Sequence, residues 1–125
     1  MDENAIGTIV LGAAIRVHSR LGPGLLESAY RTCLAHELRK ANLLVREEAS
    51  ISIRYEDVAI EDGYRADLVI ADKVVIELKS MDAILPVHRA QLLTYLRLGD
   101  FKLGYLLNFK VAQLRNGIVR LVNGL

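Results

Sequence analysis

The chain has 125 residues, 52% of them apolar, and sixteen basic residues against fifteen acidic ones leave a formal charge of +1. That size fits one domain over residues 1–125 with a single proper core, and the near-neutral balance gives no overall electrostatic case for nucleic acid, so any such binding must come from local patches. One cysteine, Cys33, rules out an internal disulfide and a thiolate zinc cluster, and suits a reducing interior with Cys33 as a small buried residue on a helix.

Met1-Asp2-Glu3-Asn4 is acidic where a signal peptide would be basic, and the apolar stretch Gly7–Ile15 is too short to span a bilayer. The expected setting is the cytoplasm, with no membrane partner. From Glu3 to Arg20, Ile6, Ile9, Val10, Ala13, Ala14 and Val17 recur at helical spacing, with acids in front and Arg16, His18 and Arg20 behind. Leu21-Gly22-Pro23-Gly24 breaks this first helix. A second is predicted over Leu25–Ala41, burying Leu26, Ala29, Tyr30, Cys33, Leu34 and Leu38, with Asn42 as its stop.

Leu44–Ile60 turns extended, with Ala49, Ile51, Ile53 and Tyr55 alternating against Ser50, Ser52 and Arg54 as in a half-exposed strand. Residues 64–71 and 73–79 then read as two apolar strands joined by the short turn Ala71-Asp72-Lys73. After a linker containing Pro86, leucines at helical spacing predict a helix over His88–Arg97, ended by Gly99. Leu103–Phe109 is an apolar strand, and Val111–Leu114 with Ile118–Val122 flank Asn116-Gly117, a strong short-range hairpin signal. The predicted order is α-α-β-β-β-α-β-β-β.

The hairpin over residues 64–79 carries the chemistry. Alternation puts Val75, Glu77 and Lys79 on one face, and Arg65, Asp67 and Val69 on one face of the partner strand. Acids set among Leu68, Val69, Ile70, Ile76 and Leu78 are costly to bury without a cation. Lys79 and Arg65 could supply it through salt bridges in a purely structural hairpin. A metal ion is the alternative. Near-continuous apolar runs suit central strands covered on both faces, where such charges want explaining.

Other candidates lie on the helices. Glu27 and Tyr30 share a face of the second helix, and Glu27 in a first turn is ordinarily helix-dipole trim. Gln91 and Tyr95 are neighbours at i and i+4, with His88 one turn earlier. His18 and His36 lack partners at metal spacing and read as structural. Asn108 either caps a strand end or reaches the site.

Together these pieces resemble the PD-(D/E)XK nuclease superfamily, in particular the small proteins named for their GxxExxY motif, here Gly24-Leu25-Leu26-Glu27-Ser28-Ala29-Tyr30. Asp67 matches the superfamily's first motif, Glu77-Leu78-Lys79 its ExK, and Gln91-Leu92-Leu93-Thr94-Tyr95 the QxxxY element; Ala66 stands where the nominal proline would precede the aspartate. The resemblance implies a restriction-endonuclease-like α/β (α+β) core, a mixed central sheet flanked by helices. It implies Mg²⁺, with Mn²⁺ as substitute, held by Asp67, Glu77 and the Leu78 backbone carbonyl, with Glu27 as a further ligand, direct or through water. Asp67, Glu77, Lys79, Gln91 and Tyr95 would be catalytic, and Tyr30, Arg65 and His88 are candidates for substrate contact. The implied activity is phosphodiester hydrolysis in nucleic acid, DNA ahead of RNA. The alternative is a non-catalytic nucleic-acid- or partner-binding module that keeps the fold. Size and the commonness of twofold dimers make a homodimer or a protein partner a further expectation.

Overall fold

The computed structural model describes residues 1–125. Helix α1 runs Glu3–Leu21, started by Asp2, whose Oδ1 accepts from the Ala5 N–H at 2.8 Å. Its inward stripe of Ile6, Val10, Ala13, Ala14 and Val17 follows the helical period. Gly22 stops it in a left-handed conformation (φ 70°) that a β-carbon would resist. Helix α2, Glu27–Lys40, buries Tyr30, Leu34, Ala35 and Leu38, whereas Leu26 and Cys33, expected inside, are exposed and half-buried.

Five strands form one sheet in the order β1-β2-β3-β4-β5: β1 Val45–Tyr55, β2 Val58–Ile70, β3 Val74–Lys79, β4 Leu103–Asn108 and β5 Ile118–Val122. Neighbours are antiparallel except β3 and β4, which are parallel because helix α3, Pro86–Gly99, crosses between them. This is the mixed sheet flanked by helices that the sequence predicts. One face packs under α1 and α2 through Leu68, Ile70, Val74, Ile76, Leu78 and their neighbours. The other packs under α3 through Ala49, Ala66, Val69, Val75, Leu92, Leu96 and Leu106. All six residues of β4 are buried, as a central strand covered on both faces requires.

Two stretches differ from expectation. Leu44–Ile60 is not one strand: the chain turns at Glu56-Asp57, and Val58–Ile60 pair back on Ile53–Tyr55, making a long hairpin arm. Residues 111–114 are not a strand either. Leu114 is drawn into the core and a 3₁₀ helix, Leu114–Gly117, leads directly into β5. Gly117 has no positive φ; it is needed because a β-carbon there would collide with the Asn108 carbonyl oxygen.

Candidate active site

The site begins where β2 leaves β3. Leu68, Val69 and Ile70 pair with Ile76, Val75 and Val74, and the ladder goes no further. Leu68 faces α1 and α2, yet Ala66, two residues away, faces α3. Side-chain alternation therefore breaks at Asp67. The paired strand breaks in step: Val45 faces α1 and α2, Ala49 faces α3, and Glu48 between them has φ 47°. With β2 peeled away, the Asp67 side chain takes the ladder's place. Its Oδ2 accepts from the Leu78 N–H at 2.7 Å, and its own N–H donates to Glu77 Oε1 at 3.2 Å.

This break corrects one expectation. Arg65, Asp67 and Val69 do not share a face: Val69 packs under α3, whereas Arg65 is exposed between Tyr64 and Ala66, both on the α3 side. Arg65 thus faces away from the carboxylates. On β3 the alternation holds, and Val75, Glu77 and Lys79 all face α3.

Helix α3 closes the site from above. Glu77 and Lys79 from β3, Leu106 from β4, Tyr64 from β2, and His88, Gln91, Leu92 and Tyr95 from α3 line a cleft of about 170 Å³. Glu77, Lys79, Gln91, Tyr95 and His88 are thereby brought together, with Asp67 bonded to Glu77 from below. His88 also accepts from the Leu85 N–H through Nδ1 at 3.0 Å, tying the start of α3. Tyr64 was not singled out from the sequence. Unbroken alternation would send it to the same face as Leu68, and only the switch at Asp67 turns it into the cleft. There its ring stacks on Tyr95 with centroids 3.5 Å apart, and its hydroxyl donates to Glu77 Oε1.

Burial pushes the Glu77 carboxyl up to about 7, helped by the charge of Asp67 and opposed by the hydrogen bonds from Tyr64 and from the Asp67 backbone and by the charge of Lys79. Burial and the Glu77 charge also raise the Tyr64 hydroxyl. Asp67, Glu77, Lys79 and Arg65 appear in none of the chain's salt bridges, so the purely structural pairing of this hairpin is not what the fold builds. Each carboxylate has one oxygen held by backbone N–H, while Asp67 Oδ1 and Glu77 Oε2 have no hydrogen-bond partner. Two carboxylates prepared in this way fit a hard divalent cation. Glu27 does not form a ready-made three-carboxylate cluster with them.

Glu27 instead acts on the end of β3. Its Oε1 accepts from the Ser80 N–H at 3.2 Å, and Ser80 Oγ donates to the Leu25 carbonyl at 3.4 Å. Gly24, at φ 105°, lets the loop double back to make these bonds. Tyr30 locks that loop from beneath: its hydroxyl donates to the Gly22 carbonyl at 2.5 Å and accepts from the Leu25 N–H at 3.1 Å, while its ring stacks on Phe109 at 4.4 Å. Fully buried, Tyr30 is out of reach of substrate, which corrects its reading as a contact residue. Asn108 caps rather than reaches in: Nδ2 donates to the Met81 carbonyl and Oδ1 accepts from the Met81 N–H. His18 is likewise structural, bonded through Nε2 to the Val111 carbonyl at 2.8 Å.

No helix is long and apolar enough to cross a membrane. Neither a curated protein nor a solved structure matches the chain. A family model does match, over residues 4–121, and that span contains every element of the sheet fork and the cleft above it. The chain belongs to the PD-(D/E)XK nuclease superfamily.

Proposed function

We propose that the 125 residues form one cytoplasmic nuclease-like domain of the GxxExxY kind that hydrolyses phosphodiester bonds, in DNA ahead of RNA, with Mg²⁺ as its natural ion. The observation that carries this reading is the pair Asp67 and Glu77, oriented by backbone N–H groups and in salt-bridge contact with no basic side chain, Lys79 of the same cleft acting on Glu77 only from a distance. Unpaired interior carboxylates cost free energy that a structural hairpin has no reason to retain. Asp67 and Glu77 would hold a divalent cation, which would supply Lewis-acid polarisation of a phosphoryl oxygen and a lower pKa for a water.

Asp67 Oδ1, Glu77 Oε2 and the Leu78 carbonyl are the groups suited to hold that ion. The N–H and C=O of one strand residue point to the same edge, and the Leu78 N–H already points to the gap that β2 vacates. Tyr64 fixes the rotamer of Glu77 through its hydroxyl. Lys79, in the same cleft, stabilises charge developing on the phosphoryl oxygens and orients the water. Gln91 and Tyr95 on α3, with His88 one turn earlier, position the scissile phosphate from the opposite wall. Glu27 contributes by holding Ser80, the residue that follows Lys79.

Cleavage of end-labelled single-stranded and duplex DNA and of RNA, with Mg²⁺ or Mn²⁺, tests the proposal in the native protein beside Glu77→Ala and Lys79→Ala. Loss of cleavage in both variants is expected. Equal activity in all three would mean contamination, and binding without cleavage by the native protein would leave the non-catalytic binding module.

A further inference from the structure

Charge is segregated along this nearly neutral chain. In the arm made by β1 and β2, residues 45–70, seven acids outnumber three arginines, a formal −4 that Arg31 and Arg39 of α2 offset only at Glu47 and Glu48. From Asp82 to the C-terminal end, six basic residues stand against Asp82 and Asp100, a formal +4. The cleft lies between these two regions, with Tyr64 of the arm on one wall and α3 on the other. A polyanion entering it is repelled from the arm and drawn along the α3 side.

A second groove lies on that side. About 270 Å³ in volume, it is walled by Arg89 of α3, by Asp82 and Ile84 of the preceding linker, and by Asn108, Asn116 and Gly117. His88 lines the cleft and Arg89 the groove, so the two are consecutive on the first turns of one helix. Both involve the carboxyl-terminal halves of the parallel strands β3 and β4, through Glu77, Lys79 and Leu106 in the cleft and Asn108 in the groove, the end at which sheets of this kind form ligand crevices. Arg89 is exposed and takes part in no salt bridge. At the rim, Lys110 Nζ is 2.7 Å from Asp82 Oδ1, and both side chains are largely exposed, so a phosphate can displace Asp82 at little cost.

Resting on the nuclease reading, we infer that this groove holds the sugar-phosphate backbone of the strand next to the scissile bond, with Arg89 and Lys110 as its cations and Asp82 as their competitor. Binding of fluorescein-labelled oligonucleotides of about 20 residues, DNA and RNA, single-stranded and duplex, is measured by anisotropy in EDTA from about 50 to 200 mM salt. Arg89→Ala and Lys110→Ala should each weaken binding and flatten the plot of log K against log salt by about 0.7 on single strands and about 0.9 on duplex. Asp82→Asn should tighten binding roughly two- to fivefold. Arg54→Ala, on the acidic arm, should change nothing. Native slopes in both cation variants, an equal loss in Arg54→Ala, or no binding at about 50 mM salt would each overturn the inference. Cleavage with Mn²⁺ is scored separately: an Arg89-dependent slope without cleavage keeps the groove and removes the nuclease, and cleavage with an Arg89-independent slope does the reverse.

Discussion

Glu47 and Glu48 on β1 and Asp67 and Glu77 on β2 and β3 are two acidic pairs in one sheet, and their surroundings treat them differently. The first pair meets guanidinium groups from α2: Arg31 lies 3.7 Å from Glu47 and 3.4 Å from Glu48, and Arg39 lies 3.1 Å from Glu47. The second pair is hydrogen-bonded by backbone N–H groups and the Tyr64 hydroxyl and makes no salt bridge, although the charge of Lys79 in the same cleft reaches Glu77. Where the fold merely has to tolerate carboxylates, it places arginines beside them in water. At the fork it buries Glu77 beside Asp67, holds one oxygen of each by a backbone N–H, and gives neither a salt-bridge partner.

The largest expected effect separates the pairs by activity. Glu77→Ala should lower the cleavage rate by about 10³-fold or more, equivalent to about 4 kcal/mol of transition-state stabilisation. Glu47→Ala should leave the rate within about twofold of the native protein. Single-turnover cleavage of a labelled oligonucleotide measures both, and comparable losses would mean that the lack of a salt-bridge partner at the fork has no bearing on chemistry.

Stability against pH gives the next test. The Glu77 carboxyl stands at about 7 in the fold against 4.5 for the free group, so it holds its proton longer folded than unfolded. Below about pH 4.5 both states are protonated and nothing is lost. As pH rises from there through 7 the unfolded chain gives up the proton first, and the metal-free fold loses of the order of a few kcal/mol. Glu77→Gln keeps an acceptor for Tyr64 and Asp67 but cannot ionise. In EDTA it should be more stable than the native protein by about 2–3 kcal/mol at pH 8 and no more stable near pH 4, as read from urea unfolding. Mn²⁺ should raise the melting temperature of the native protein at pH 8 and leave that of Glu77→Gln unchanged. A constant difference across pH would show that the fork does not strain Glu77.

Tyr64→Phe keeps the ring stacked on Tyr95 and removes the donor to Glu77. Since that hydrogen bond lowers the Glu77 carboxyl, its loss moves the acid limb of the pH–rate profile to higher pH. The rate at neutral pH should fall about tenfold, or about 1.4 kcal/mol, with KM little changed. An unshifted acid limb would mean that Tyr64 only fills space.

Much of the fork was legible because its signals are local. Apolar runs on either side of Ala71-Asp72-Lys73 specify two strands and a turn, and alternation on β3 correctly puts Glu77 and Lys79 together under α3. Leucine spacing similarly brings His88, Gln91 and Tyr95 to one wall. What escaped depends on contacts distant in sequence. Alternation assumes an unbroken strand, whereas β1 and β2 switch faces together at Glu48 and Asp67, which sends Arg65 out and Tyr64 in. Asn116-Gly117 looks like a turn because a local rule covers it, but here Gly117 answers a close approach by Asn108. The GxxExxY loop could not disclose that Glu27 and Leu25 are bound to Ser80, fifty-three and fifty-five residues away.

The smallest expected effect lies at the other end of the comparison. Arg39 reaches Glu47 at 3.1 Å and donates to the Val45 carbonyl at 3.1 Å, but its side chain is half exposed, at 50%. Water screens such a pair and two long side chains lose freedom in making it, so Arg39→Ala should cost about 0.2–1 kcal/mol of stability, less still in high salt, with cleavage unchanged. Arg31 still faces both glutamates when Arg39 is gone, which limits the loss further. A cost above about 2 kcal/mol in urea unfolding would put Glu47 among desolvated charges rather than surface ones. The contrast with Glu77 would then rest on activity alone, because both acidic pairs would be buried groups that depend on a cation, one from within the chain and one from outside it.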